Sequence, residues 1–304
     1  MTIIETTGLT KKYRRLTAVD DISFRVEQGQ VFGFLGPNGS GKTTTIGMLL
    51  GIINPTAGAI RLFDRHGMDQ LHMARQRIGA TLETPNFYPY LSGYQNLQVV
   101  ARIKEVATSR IDHALDAVGL AARAKDQFRK YSLGMKQRLA IAGAMLGDPD
   151  LVILDEPANG LDPEGMREIR DIIHGMAAEG RTIFVSSHLL NEVERTCTHV
   201  AIIKRGRIIH QASMAELTKQ HTSAVARAAD PAALLAAARA YPAAITAALD
   251  GDAVHVELRD ADLAALNRYL GEQGVHLSYL APRVASLEDV FMELTAEPGM
   301  QVAS

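Results

Sequence analysis

Apolar and polar residues change their period several times along the chain, and each change marks an element. Between residues 2 and 35 the pattern is that of strands. Ile22, Phe24 and Val26 alternate with polar neighbours, and Glu27-Gln28-Gly29-Gln30 turns the chain into an apolar run, Val31 to Leu35. Ala59 to Phe63 reads as a further strand, Leu71 to Arg77 as a short helix, and Ile78 to Leu82 as a strand running into a loop with Pro85 and Pro89. From Ser92 the period turns helical, through Leu97, Val100 and Ala101. It does so again from Ser109 through Ile111, Leu115 and Val118 to a stop at Gly119. Helical spacing returns over Lys136 to Leu146, Leu151 to Leu154 is a buried strand, and the turn Asn159 to Pro163 leads into a helix from Glu164. Arg181 to Ser186 is the next strand, and Ala201 to Ile203 and Arg207 to Ile209 flank Lys204-Arg205-Gly206 as a hairpin. Apolar strands alternating with helices predict a doubly wound α/β core, here with an antiparallel strand layer and a helical insert.

Composition shifts near His221. The Ala-rich residues 224 to 248 precede a strand pattern in Ala253 to Leu258, a helix pattern in Ala261 to Leu270 and a strand pattern in Val275 to Leu280. A last helix is expected from Ser286, where Ser286-Leu287-Glu288-Asp289 resembles a capping box. The expected organisation is therefore one domain over 1–220 and a small α+β appendage over 221–304, with no internal repeat. With 304 residues and 47% apolar content the chain can fill such a core. A net charge of −2, without a Lys/Arg block interleaved with aromatics, argues against nucleic acid as a partner. The lone Cys197 cannot form an internal disulfide, and no C-x-x-C or H-E-x-x-H pattern suggests zinc. Met1 to Leu9 contains Glu5 and lacks a basic start followed by an apolar stretch, so it does not read as a signal peptide. Ala233 to Leu249 comes nearest to a membrane span, but Arg239 and Pro242 interrupt it, so a membrane role requires a partner.

Chemistry concentrates where apolar strands end. After Val31 to Leu35 comes Gly36-Pro37-Asn38-Gly39-Ser40-Gly41-Lys42-Thr43-Thr44, which fits G-x-x-x-x-G-K-[ST] between a strand and a helix. Glycines let successive N–H groups point inward, and the helix N-terminus adds about half a positive charge on the same spot, so polyphosphate is the natural guest. Lys42 is placed to reach the β- and γ-phosphates, and the Thr43 hydroxyl to ligate Mg²⁺. Leu151 to Leu154 ends in Asp155-Glu156: Asp155 suits Mg²⁺ bound through water, and Glu156 suits a general base for attacking water. Three residues read two ways on their own. Tyr13 is a surface tyrosine or an aromatic that stacks on a base, Ser132 is at least an N-cap, and His188 is a satisfied histidine or one that faces a ligand crevice at a strand end.

Taken in order, Tyr13, the loop at 36 to 44, Glu83, Ser132 to Met135, Asp155-Glu156, Leu161-Asp162 and His188 form a set that resembles the ATP-binding subunits of ABC transporters over residues 2 to about 215. The resemblance implies a P-loop NTPase core of ABC ATPase type that hydrolyses ATP with Mg²⁺. It also implies adenine stacked on Tyr13, Mg²⁺ held by Thr43 and Asp155, Glu156 as base, Asp162 in a loop crossing a dimer interface, and His188 sensing the γ-phosphate. Two copies would sandwich ATP head to tail, with Ser132 and Gly134 of one facing the phosphate loop of the other, on the cytoplasmic side of a membrane beside a separate permease. Two departures stand out. The usual Leu-Ser-Gly-Gly-Gln reads Tyr131-Ser132-Leu133-Gly134-Met135, and Glu83 stands where glutamine is usual, which would add an anion to the metal site. Leu82-Glu83-Thr84-Pro85, the altered signature and the ending Ser286 to Leu294 are similar to ATPases of bacitracin-type and lantibiotic self-immunity exporters, whose cargo is a peptide antibiotic or other hydrophobic compound. A soluble ABC-type ATPase acting on ribosomes or DNA is the alternative, and it typically carries two cassettes or a long coiled-coil insert, neither of which appears here.

Overall fold

Alternation along the first strands places one row of side chains under a second sheet. In the computed structural model, which describes residues 1–65, 68–82, 85–220, 222–259, 262–284, 287, 288 and 291, β1 (Thr2–Tyr13), β2 (Leu16–Glu27) and β4 (Ala57–Leu62) form an antiparallel layer in the order β2-β1-β4, while β3 (Val31–Leu35) leaves it for another sheet. The helix α1 (Lys42–Leu49) follows β3, and α2 (Met68–Arg75) precedes β5 (Ile78–Thr81). An insert of α3 (Gly93–Ile103) and α4 (Arg110–Ala117) leads to α5 (Leu133–Met145) and β6 (Leu151–Asp155). Then come α6 (Pro163–Ala178), β7 (Thr182–Ser187), α7 (Leu190–Thr196), β8 (His199–Lys204) and β9 (Arg207–Ser213). The second sheet runs β5-β6-β7-β3-β8-β9, with parallel pairing from β5 through β8.

Four phenylalanines peg the layers together. Phe24 of β2 lies 5.5–5.9 Å, ring to ring, from Phe32 and Phe34 of β3 and from Phe184 of β7, and all four are buried. Since Phe32 and Phe34 are two residues apart, both project from one face of the parallel sheet, toward the antiparallel layer. Ile46, Met48 and Leu49 of α1 join the same core. The helix that follows the phosphate loop is thus fixed by apolar packing on several sides. Strand β6, buried at every position, reads as the continuous apolar run that a sheet covered on both faces requires. The short helix differs from expectation. It spans Met68–Arg75, and Arg77 lies beyond it, its guanidinium 4.2 Å from the Phe63 ring centroid and 2.7 Å from Asp150.

The chain divides into two compact units at Ala212/Ser213, earlier than the compositional change near residue 221. The second unit contains α8 (Met214–Gln220), β10 (Thr222–Ala228), α9 (Pro231–Arg239), β11 (Ala244–Asp250), β12 (Ala253–Leu258), α10 (Leu263–Glu272) and β13 (Leu277–Val284). From β10 onward this is a βαββαβ arrangement, an antiparallel sheet in the order β11-β12-β10-β13 of ferredoxin-like type. Its core joins Ala224, Ala226, Val254 and Val256 to Leu234, Ala238, Leu266 and Leu270 of the helices. Ser286, the expected cap of a last helix, lies outside the described residues.

Candidate functional site

The carboxyl ends of β3 and β6 open onto a cleft of about 860 Å³. Tyr13, Asn38, Gly39, Gly41, Lys42, Thr43, Thr44, Asp155 and Glu156 line it together. Its size suits a nucleotide. Backbone hydrogen bonds within the loop and to β7 hold it: Gly36 N–H donates to Ser187 O (3.1 Å), Ser40 N–H to Pro37 O (3.2 Å) and Thr45 N–H to Gly41 O (2.9 Å). Gly41, which enters α1, has φ 111°, and a Cβ there would stand 2.6 Å from Ala18 O, so only glycine fits. The Lys42 ammonium is buried, donates to Gly36 O (2.6 Å) and Pro37 O (3.2 Å), and lies 3.1 Å from Glu156 Oε1. Although that last distance makes an ion pair, its angles fall short of a hydrogen bond, and Oε1 has no other hydrogen-bond partner.

Parallel register sets Asp155 opposite Ser186. The Ser186 hydroxyl donates to Asp155 Oδ1, and Thr43 Oγ1 donates to Oδ2 at 3.0 Å, so both oxygens of this buried carboxylate are held. Glu156 sits at φ 49°, a left-handed backbone that a glutamate rarely adopts, with its N–H bonded to Ser186 O (3.2 Å) and Oγ (3.0 Å). Strain of this kind clusters at functional sites. The second Glu156 oxygen lies 2.8 Å from His188 Nδ1, which ties the histidine to the cleft through the glutamate. Tyr13, at the end of β1, is 43% exposed, with the Lys11 ammonium 4.9 Å from its ring centroid.

Gly36, Pro37, Ser40 and His188 stand behind this lining, and Ser132, Gly134 and Asp162 are also outside it, although Leu133, between the first two of these, reaches the cleft. Ser132 caps α5, accepting from Met135 N–H at 3.2 Å, and Asp162 caps α6, accepting from Gly165 N–H at 2.9 Å. Neither they nor Gly134 is among the residues that line the cleft of their own chain. Glu83 lies outside the described residues. The structure in turn adds residues that the sequence did not single out for the site: Ala18, Gln137, Asn159, Arg205 and Gly206 line the cleft, and Ser186 holds Asp155. For Ser186 a signal existed, a polar residue near the end of an apolar strand, but its partner is given only by register.

This donor set implies two guests, a polyphosphate and a divalent cation. Ser40 Oγ is buried without a hydrogen-bond partner, an orphan inside the loop, as a phosphate cradle would have. Among the described residues no cluster of three or more His, Cys, Asp or Glu could hold a metal. A cation at Thr43 and Asp155 would therefore take its remaining ligands from phosphate and water, the preference of Mg²⁺. The residues fit both.

Comparison with known proteins agrees. The family model described as "ABC transporter" matches residues 19–159. The ABC transporter ATP-binding protein YhcH of Bacillus subtilis (strain 168) is 38% identical over 99% of this chain and 98% of its own length. The bacitracin transport ATP-binding protein BcrA of Bacillus licheniformis is 46% identical over 72% of each chain. Among solved structures, cbiO1 from Clostridium perfringens, part of the transporter complex cbiONQ, superposes with a TM-score of 0.66 at 30% identity, covering 72% of this chain and 91% of its own.

Proposed function

The chain belongs to the ATP-binding subunits of ABC transporters, which hydrolyse ATP, and on that premise we propose that it powers export of a peptide antibiotic or other hydrophobic compound through a separate membrane permease. The observation that carries the cargo class is the likeness to BcrA across the unit that holds the cleft. Among the described residues no helix is long and apolar enough to cross a membrane, which supports a peripheral subunit, here assigned to the cytoplasmic face.

In this reading the loop N–H groups of residues 36–44 and the Lys42 ammonium bind the β- and γ-phosphates, and Tyr13 stacks on adenine. Thr43 and Asp155 would hold Mg²⁺, and Glu83 is added to that set on sequence alone; the ion, when bound, neutralises charge on the phosphates. Glu156 takes the proton of the attacking water, and His188, 2.8 Å away, orients that carboxylate and lies at the γ-phosphate end. In this reading Ser132, Gly134 and Asp162, which do not line the cleft of their own chain, face the partner's nucleotide in a head-to-tail pair of copies. The unit from Ser213 onward carries none of these groups, and its role in this reading is regulatory or dimer-stabilising.

Expression of the gene together with a gene for a candidate membrane permease in a bacitracin-sensitive bacterium tests the proposal. The inhibitory concentration of bacitracin or a lantibiotic should rise, and Lys42→Ala should abolish the rise. No change with either antibiotic, or a rise that survives Lys42→Ala, would overturn it.

A further inference from the structure

Two non-glycine residues that line the cleft have left-handed backbones. One is Glu156 (φ 49°), the other is Arg205 (φ 49°). Arg205 and Gly206 (φ 82°) form the two-residue turn between β8 and β9, with positive φ at both positions, the pattern of a type I′ hairpin. Such turns favour Asn-Gly or Gly-Gly, and an arginine at the first position costs about 1 kcal/mol or more in backbone strain.

The turn is also fastened to the phosphate loop. Gly206 N–H donates to Ser40 O at 2.9 Å, Asp20 N–H donates to Gly206 O at 2.8 Å, and Arg207 pairs with Asp20 at 2.6 Å. A Cβ on Gly206 would stand 3.0 Å from Ala18 O, so the tip lies close against β2 as well. Arg205 is thus held at the rim of the cleft by contacts to the loop that surrounds Lys42. Lys42 is buried at the floor; Arg205 is exposed at the edge.

We propose that Arg205 is a nucleotide-binding residue, its guanidinium placing a second positive charge on the phosphates of ATP bound in the same chain. This rests on the reading of the cleft as the ATP site and adds a contact from an element outside the loop and strand-end motifs. A guanidinium suits the task because its planar donors match phosphate oxygens. The bond from Gly206 N–H to Ser40 O keeps the backbone next to Arg205 against the phosphate loop.

Nucleotide affinity of the full chain with Mg²⁺, for ATP, ADP and AMP, decides the matter. Arg205→Asn removes the charge and supplies the residue that type I′ turns prefer, so the unfolding midpoint should hold or rise. ATP and ADP binding should weaken about three- to tenfold, a charge-assisted contact discounted for exposure. AMP should be affected less, and Arg205→Lys should recover part of the loss. ATP affinity within twofold of wild type, or an equal loss for all three nucleotides, would overturn the assignment. Lys42→Ala separates this from failure of the cleft reading: if it too leaves ATP affinity unchanged, the nucleotide is bound elsewhere.

Discussion

Replacing Glu156 by glutamine changes one atom and separates two roles of the carboxylate. The side chain faces Lys42 at 3.1 Å and His188 at 2.8 Å, with only 6% of the lysine and 17% of the glutamate side chain exposed. At an effective dielectric near 20, the gross attraction of the Lys42–Glu156 pair is about 5 kcal/mol, of which desolvation leaves a small part as net stabilisation. ATP must draw Lys42 away from that partner, so Glu156→Gln should keep or tighten ATP binding, by up to about tenfold if ~1.4 kcal/mol of the pairing is recovered. Catalysis moves the other way. An amide cannot take a proton from water, and loss of a positioned base lowers the rate about 10²- to 10⁴-fold, or ~2.7 to 5.5 kcal/mol of barrier. The backbone N–H bonds to Ser186 are untouched, and glutamine at φ 49° carries the same strain as glutamate, so the fold should not change. Phosphate release measured in the assembled transporter should fall by at least a hundredfold, while light scattering with ATP and Mg²⁺ should show an accumulating dimer. Turnover within tenfold of wild type, together with weaker ATP binding, would refute both roles.

Three further outcomes follow from the same contacts. Thr43→Ala removes the hydroxyl that meets Asp155 at 3.0 Å, so the Mg²⁺ concentration that half-saturates turnover should rise about tenfold; superimposable Mg²⁺ titrations would exclude Thr43 as a ligand. The Arg181 hydrogen bond holds the Asp148 carboxyl below its ordinary value of 3.8. Its folded value is thus depressed, so its stabilisation is complete above that ordinary value and is lost as pH falls through the lowered one. Wild type should exceed Asp148→Asn by at most ~1 kcal/mol near neutrality, with urea curves converging in acid, because Asp148 is 57% exposed. Burial pushes the Cys197 thiol up to about 12, so the native protein should not react with a thiol reagent at pH 8, and full labelling should appear only on unfolding; rapid labelling of the native chain would contradict that burial.

The site was legible where its chemistry is contiguous in sequence and lies at the end of an apolar strand. The loop at 36 to 44 and Asp155-Glu156 meet both conditions, because a buried parallel strand announces itself as an apolar run and its carboxyl end is where polar residues must emerge. Ser186 and Arg205 fail the first condition. Ser186 matters because β6 and β7 pair in one register, a long-range fact, and Arg205 because a hairpin tip lands on Ser40, far away in sequence. The second unit was obscure for a different reason. Strands β10 and β11 are rich in alanine, which strands ordinarily disfavour, so local preference gave them no period to read.

That same composition becomes intelligible from the packing. Ala224 and Ala226 are fully buried in a core shared with Leu234, Ala238, Leu266 and Leu270, where small side chains on the strand let the leucines of α9 and α10 come down onto the sheet. Enlarging either alanine would overpack that core, at a cost of about 1–3 kcal/mol. Tertiary packing thus overrides helix preference in β10, and the result is a βαββαβ unit with its own core. Two cores of separate composition imply two separable stabilities. Ala226→Leu should therefore lower the unfolding midpoint of the second unit while ATP affinity, set by Lys42 and its loop, stays within twofold of wild type. Equal loss of both would show that the two units fold as one.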